Sequence, residues 1–200
     1  MKADENARAD ARGSIEAAFF EASRLHAEAA RDMAPAIEEA ASLIGRSIAS
    51  GGKVLAFGNG GSAADSQHLA AELVGRFTRE RRALPAIALT TDSSIVTSVA
   101  NDYGFDRVFA RQVEALGRRG DVAVAISTSG RSENVIAALR EAGARGLRTI
   151  ALTGGDGGPA GKAAEVHLNV PASTPRAQEV HRTILHVLCD LVEREVAGAG

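Results

Sequence analysis

Two short loops carry the residue types best suited to hold a small anion. They are Gly58-Asn59-Gly60-Gly61-Ser62 and Ser127-Thr128-Ser129-Gly130-Arg131-Ser132. Glycines let backbone N–H groups approach a ligand, and such groups converge at a helix N-terminus where anionic oxygen is favoured. The hydroxyls of Ser127, Thr128, Ser129 and Ser132 match the oxygens of a phosphate monoester. The dinucleotide pattern GxGxxG is absent around Gly58, and neither loop ends in the Lys-Ser/Thr of a P-loop. Nucleoside triphosphates and NAD are therefore disfavoured, and a small phosphorylated molecule is expected.

Acid–base groups follow the first loop. His68 and Glu72 are i,i+4 neighbours on one helical face, with Asp65 one turn earlier and Arg76 continuing the face. That spacing lets an imidazole and a carboxylate meet one divalent cation, although such pairs also occur on ordinary solvated helices. Near the end, Gln178, Glu179, His181 and His186 stand among the apolar residues Val180, Ile184, Leu185, Val187 and Leu188. Gln178 and His181 make the easier local pair at i,i+3. Gln178 and His186 are two turns apart, about 12 Å of rise, so spacing alone leaves both histidines open. Asn101-Asp102, beside Tyr103-Gly104, reads as a turn or helix cap, or as an amide and a carboxylate for sugar hydroxyls. Phosphate-binding hydroxyls, a carboxylate, a histidine and polyol-binding groups together form the inventory of a sugar-phosphate aldose–ketose isomerisation.

The elements that must position these groups are legible. Strand candidates are 53–57, 86–90, 121–126, 148–152 and 165–170, each nearly continuously apolar, which fits a parallel sheet covered on both faces. Helical periodicity lies between them and over 177–196. Residues 13–50 read as two helices, with stripes through Ile15, Ala18, Phe19 and Leu25, then Ile37, Ala40, Ala41, Ile44 and Ile48. These helices are candidates for packing on a second subunit. Residues 1–12 are polar and read as a disordered tail, leaving one α/β domain over 13–197.

Composition excludes several classes. The chain of 200 residues has a net charge of −2, no Trp and one Tyr, so a nucleic-acid surface or base-stacking platform is not expected. The basic run Arg79, Arg81, Arg82 is broken by Glu80 and reads as a solvated loop face. The single cysteine, Cys189, rules out an internal disulfide framework and reads as buried and inert. No stretch has membrane-spanning length, and a cytoplasmic location is expected.

Five motifs, in one order over roughly residues 14–197, resemble the phosphoheptose isomerases, a family of the sugar-isomerase (SIS) fold. They are Gly58-Asn59-Gly60-Gly61-Ser62, Gln67-His68-x-x-x-Glu72, Asn101-Asp102-Tyr103-Gly104-Phe105, Ser127-Thr128-Ser129-Gly130-x-Ser132, and Gln178-Glu179-x-His181 with His186. The resemblance implies a single SIS-type domain with a five-stranded parallel sheet and N-terminal helices that pack a homotetramer. It implies conversion of D-sedoheptulose 7-phosphate to D-glycero-D-manno-heptose 7-phosphate, the first step toward activated heptose for cell-surface glycans. By resemblance, Ser127, Thr128, Ser129 and Ser132 hold phosphate, and Asn59, Gly60, Gly61, Asn101, Asp102 and Gln178 line the substrate site. Glu72 is then the general base and His186 the general acid, with His68, Glu72, Gln178 and His186 as ligands of one zinc ion per subunit. A zinc-bound carboxylate is a poorer base, so Glu72 has to leave the ion or be shared when substrate arrives. The alternatives within the fold are a non-catalytic relative that binds a replication initiator protein, and a sugar-phosphate sensor. Retention of Glu72, His186 and the full serine run favours the enzyme.

Overall fold

The structure is a computed structural model that describes residues 2–197, with side chains from Asp10 to Val196. Five parallel strands, β1 (Val54–Gly58), β2 (Ala86–Ala88), β3 (Val122–Ser127), β4 (Arg148–Gly154) and β5 (Val166–Val170), form one sheet in the order β2-β1-β3-β4-β5. All five expected strands are present, shifted by one or two residues at their ends. Eight α-helices accompany them among the described residues: α1 (Lys2–Asp32), α2 (Ala34–Ala49), α3 (Gly61–Val74), α4 (Ser93–Tyr103), α5 (Ala110–Leu116), α6 (Glu133–Ala144), α7 (Gly158–Ala163) and α8 (Thr174–Ala197).

The continuous apolar strands follow from burial on both faces, because successive side chains point to opposite sides. Val54, Ala56, Val124, Ile126, Ile150 and Leu152 pack with Ile44 of α2, Leu69 of α3 and Leu185 of α8. Leu55, Phe57, Ala123, Ala125 and Ala151 face the other way, against Val99 of α4, Val113 of α5 and Leu139 of α6. The α2 stripe buries Ile37, Ala40, Ala41, Ile44 and Ile48 as its periodicity requires, and the chain leaves that helix through Gly51 at φ 83°. At the opposite end of the strands, Asp121 accepts hydrogen bonds from the backbone N–H groups of Lys53 (2.9 Å) and Arg118 (2.9 Å) and from Lys53 Nζ (2.6 Å).

Helix α1 departs from the sequence expectation at its start. Residues 2–12 are helical rather than a disordered tail; their Ala, Glu and Arg content has high helix propensity despite its polarity. Of the predicted stripe, Leu25 is buried and Ala18 half-buried, while Ile15 is exposed and Phe19 is 76% exposed, as is the adjacent Phe20 at 74%, which leaves an apolar face open to a second subunit. The helix docks on α8 through His26 Nε2 and Thr183 Oγ1 (2.9 Å), and through Arg176, which donates to the Ala18 carbonyl (2.7 Å).

The sheet centre should dominate stability. Leu152, fully buried in β4, leaves a cavity on substitution by alanine, and Leu152→Ala should cost about 2–5 kcal/mol. Urea denaturation followed by circular dichroism checks this as a lowered midpoint.

Candidate active site

In an order of β2-β1-β3-β4-β5 the chain reverses its winding between β1 and β3, and ligands bind beyond the strand C-termini at such a point. The Gly58–Ser62 and Ser127–Ser132 loops leave those two strands. Gly58 pairs with Ile126, so the loops emerge side by side.

The serine loop is organised around Ser127 at the end of β3, whose Oγ lies 3.3 Å from Ser132 Oγ and 3.5 Å from Ser129 Oγ. Ser132 occupies the N-cap position of α6 but makes no side-chain capping bond, so its hydroxyl faces the loop rather than its own helix. Thr128 is half-buried and Ser129 exposed. Gly130 is required by its φ of 62° and by a close approach: a Cβ there would fall 2.2 Å from the Gly157 carbonyl oxygen. Arg131 reaches away to Asp156 at 2.5 Å, across the neighbouring loop after β4.

The glycine loop is tied to the first turn of α6, just after the serine loop, by a reciprocal amide pair. Asn59 Nδ2 donates to Asn134 Oδ1, and Asn134 Nδ2 donates to Asn59 Oδ1, each at 2.9 Å. Gly60, at φ 56°, turns the chain into α3. Gly61 admits the Gln178 amide, since a Cβ would lie 2.2 Å from Gln178 Nε2. Gly61, Asp65 and Gln178 line one cavity of about 640 Å³ with Phe19 and His26 of α1 and Arg182 of α8. Asn101 and Asp102 sit exposed on α4, where Asn101 Nδ2 donates to Asp102 Oδ1 (2.8 Å). Among the described residues no hydrogen bond links them to either loop.

Helices α3 and α8 bring the acid–base groups together. His68 Nε2 and His186 Nε2 are 2.8 Å apart, so one ring donates and the other accepts. Glu72 Oε1 lies 3.6 Å from the same His68 nitrogen, too long for a hydrogen bond. Phe77 packs on the His186 ring at 5.3 Å between centroids. Burial pushes the His68 imidazole below its ordinary range, helped by the nearby Arg182 cation. Arg182 is itself paired with buried Asp65 at 2.6 Å.

His181 has a different role from His186. It is fully buried, and its Nε2 donates to the Thr153 carbonyl at 2.9 Å. The spacing that made Gln178 and His181 the easier pair therefore does not produce a shared site. Two imidazole nitrogens and a carboxylate oxygen form a donor set that zinc favours, and Gln178 stands at the start of the same helix α8. Among the described residues no three His, Cys, Asp or Glu side chains surround one point as a closed metal centre.

Sequence reasoning missed Asn134, because a polar residue in the first turn of a helix carries no pairing signal. It also misplaced Arg81, which is not on a solvated face: its side chain is 3% exposed and 3.1 Å from the fully buried Glu193. Cys189 is buried as expected, and burial pushes its thiol up to about 12.

A five-stranded parallel sheet flanked by helices, with a hydroxyl-rich loop at its switch point and paired imidazoles beside a carboxylate, defines an α/β domain of the doubly wound kind. Residues 18–154 match the SIS domain family. Within that class the likeness is closer still. The chain is 60% identical over 166 residues to the phosphoheptose isomerase of Citrifermentans bemidjiense, covering 82% of this chain and 86% of that one. It superposes on the solved phosphoheptose isomerases of Neisseria gonorrhoeae (TM-score 0.86, 46% identity) and Francisella tularensis (TM-score 0.89, 40% identity), in each case over 92% of this chain and 98% of the other. This chain belongs to the phosphoheptose isomerase family of SIS-domain proteins.

The buried His181 has a consequence for stability. Burial lowers its proton affinity, against the opposing pull of the Thr153 carbonyl. In the unfolded chain the ring titrates near its ordinary value of about 6.5. The unfolded state then binds more protons as pH falls through that value, so stability is full above it and declines below. The urea midpoint should drop between about pH 7.5 and 5.5, and His181→Gln should flatten part of that slope.

Proposed function

We propose that this chain catalyses aldose–ketose isomerisation of sedoheptulose 7-phosphate to heptose 7-phosphate. Membership of the phosphoheptose isomerase family supports the reaction. The single observation that carries its placement is the meeting of His68, Glu72 and His186 on α3 and α8, two helices packed on the same face of the sheet. Ser127, Thr128, Ser129 and Ser132 hold the phosphate, with the α6 N-terminus behind them. Asn59, Gly60, Gly61 and Gln178, with Asn101 and Asp102, meet the sugar hydroxyls. The product is the D-glycero-D-manno aldose, which feeds activated-heptose synthesis for surface glycans.

The proton bookkeeping assigns two roles. The ketose carries its carbonyl at C2 and an acidic hydrogen at C1. Glu72 removes that hydrogen as a proton, the C–H electrons form the C1–C2 double bond, and O2 takes a proton to give a cis-enediol. The Glu72 carboxyl returns its proton to C2 as O1 loses its own, and the C1 aldehyde results. The two carbons exchange one proton on one face, a task for a carboxylate. The two oxygens need a group that gives and accepts near neutral pH, which suits the imidazole of His186. His181, spent on Thr153, is outside this chemistry.

Zinc is held by His68, Glu72, Gln178 and His186 in this reading, on the strength of the nitrogen and oxygen donors they present. When bound, it would supply positive charge at these side chains, and Glu72 would have to leave it or be shared with it to act as the base. The exposed Ile15, Phe19 and Phe20 of α1 support assembly into a homotetramer, where a second copy covers them. No helix among the described residues is long and apolar enough to cross a membrane. A cytoplasmic setting accords with this reading.

Glu72→Gln preserves size and removes the base, so kcat should fall about 10²–10⁴-fold, and His186→Gln should fall similarly. A coupled assay with sedoheptulose 7-phosphate measures both; parent-like turnover in either variant removes that residue from its role. For the metal, elemental analysis of protein purified without chelators should find about one zinc per subunit, with loss in His68→Gln. Protein that neither contains nor takes up zinc removes the metal and leaves the isomerase.

A further inference from the structure

The segment between α3 and β2 is fastened from inside the protein. Glu193 of α8 is fully buried and accepts hydrogen bonds from three successive backbone N–H groups: Phe77 to Oε1 at 2.7 Å, Thr78 to Oε2 at 3.0 Å and Arg79 to Oε2 at 2.9 Å. Arg81 lies against the same carboxylate. Its guanidinium also donates to the main-chain carbonyls of Glu72 (2.8 Å), Gly75 (3.1 Å) and Arg82 (3.0 Å). A buried charge pair is weak evidence for stability, because desolvation offsets its attraction. Holding one loop in one register is a better-attested use of such a pair. Here the register has two outputs. Phe77, the first residue fastened, packs on the ring of His186 at 5.3 Å, and Glu72, whose carbonyl Arg81 holds, is the carboxylate of the site.

We propose that Glu193, Arg81 and Phe77 are positioning residues that set the orientation of His186 and Glu72 for proton transfer. The inference rests on the proton-transfer roles given to those two groups. Glu193 grips the loop, the loop seats Phe77, and Phe77 fixes the His186 ring plane. The last turn of α3, which carries Glu72, is pinned from the same loop through Arg81. The serine loop and the Asn59–Asn134 pair make no hydrogen bond to this network among the described residues, so phosphate anchoring is independent of it.

The test compares kcat, KM and competitive inhibition by inorganic phosphate in Glu193→Gln, Phe77→Leu and Phe77→Tyr. Misplacement of a reacting group by about 1 Å costs on the order of 10²-fold, so kcat should fall about 10–10²-fold in Glu193→Gln and Phe77→Leu. KM and phosphate inhibition should stay at parent values. Phe77→Tyr, which keeps the ring, should restore kcat. The double variant Glu193→Gln/Phe77→Leu should be no slower than Glu193→Gln alone, because Phe77 acts downstream of the loop that Glu193 grips. If Glu193→Gln does not fold, the Phe77→Leu and Phe77→Tyr comparison decides alone. Parent-like kcat in Phe77→Leu overturns the proposal. So do additive effects, and so does a parallel loss of phosphate inhibition, which marks a general structural role. His186→Gln is measured alongside. A slow His186→Gln with a fast Phe77→Leu sinks only the positioning role, whereas a fast His186→Gln sinks the proton-transfer reading itself.

Discussion

The contact between His68 and His186, with their Nε2 atoms 2.8 Å apart, exists only because α8 lies across α3 on one face of the sheet. The two residues are far apart in sequence, and neither helix has a local reason to meet the other there. The meeting is imposed by the core. Leu69 and Leu73 of α3 and Ile184, Leu185 and Leu188 of α8 are buried in the same apolar cluster as the inner face of the strands. Because that cluster is packed, the helices cannot slide without exposing large side chains, and each buried leucine resists displacement by a few kcal/mol. The polar tips of His68, Glu72 and His186 are carried on this apolar frame. Precision at the site is thus inherited from burial elsewhere.

The two ends of the proposed site are built by different physics. The serine loop depends on backbone conformation: a glycine at positive φ, a serine that leaves its own helix uncapped, and a loop emerging beside its neighbour at the switch point. The acid–base end depends on side-chain contacts between helices. The reciprocal Asn59–Asn134 amides join the glycine loop to the first turn of α6, the helix that follows the serine loop. A phosphorylated chain several atoms long is the kind of molecule that can use an anion cradle at one end and proton-transfer groups at the other.

How much of this was legible in the sequence depended on whether the signal was local. The strands were readable because burial on both faces forces unbroken apolar runs, and the two loops because glycine and hydroxyl clusters follow those runs. The identity of the site histidine was not. His181 and His186 sit in one helix with apolar neighbours on both sides, and which one turns inward to Thr153 is decided by the packing of α8 on β4. Arg81 looked like part of a solvated basic run because its partner, Glu193, is remote in sequence and the burial of the pair leaves no local trace. The start of α1 reads as a tail because its residues are polar, while the helix propensity of its Ala, Glu and Arg carries the helix back to Lys2. The SIS-type architecture and the isomerase family were legible from five motifs in register, and the matches to solved relatives agree with them.

The central claim is geometric: one bound sugar phosphate spans the serine loop and the Glu72–His186 pair. A crystal structure of Glu72→Gln, slowed in turnover, with sedoheptulose 7-phosphate tests it most directly. The account predicts phosphate oxygens on the hydroxyls of Ser127, Thr128, Ser129 and Ser132. It also predicts C1 and C2 between position 72 and His186, within the reach of about 2.6–3.2 Å that proton transfer requires. A phosphate bound away from the serine loop, or sugar carbons distant from both side chains, would contradict it.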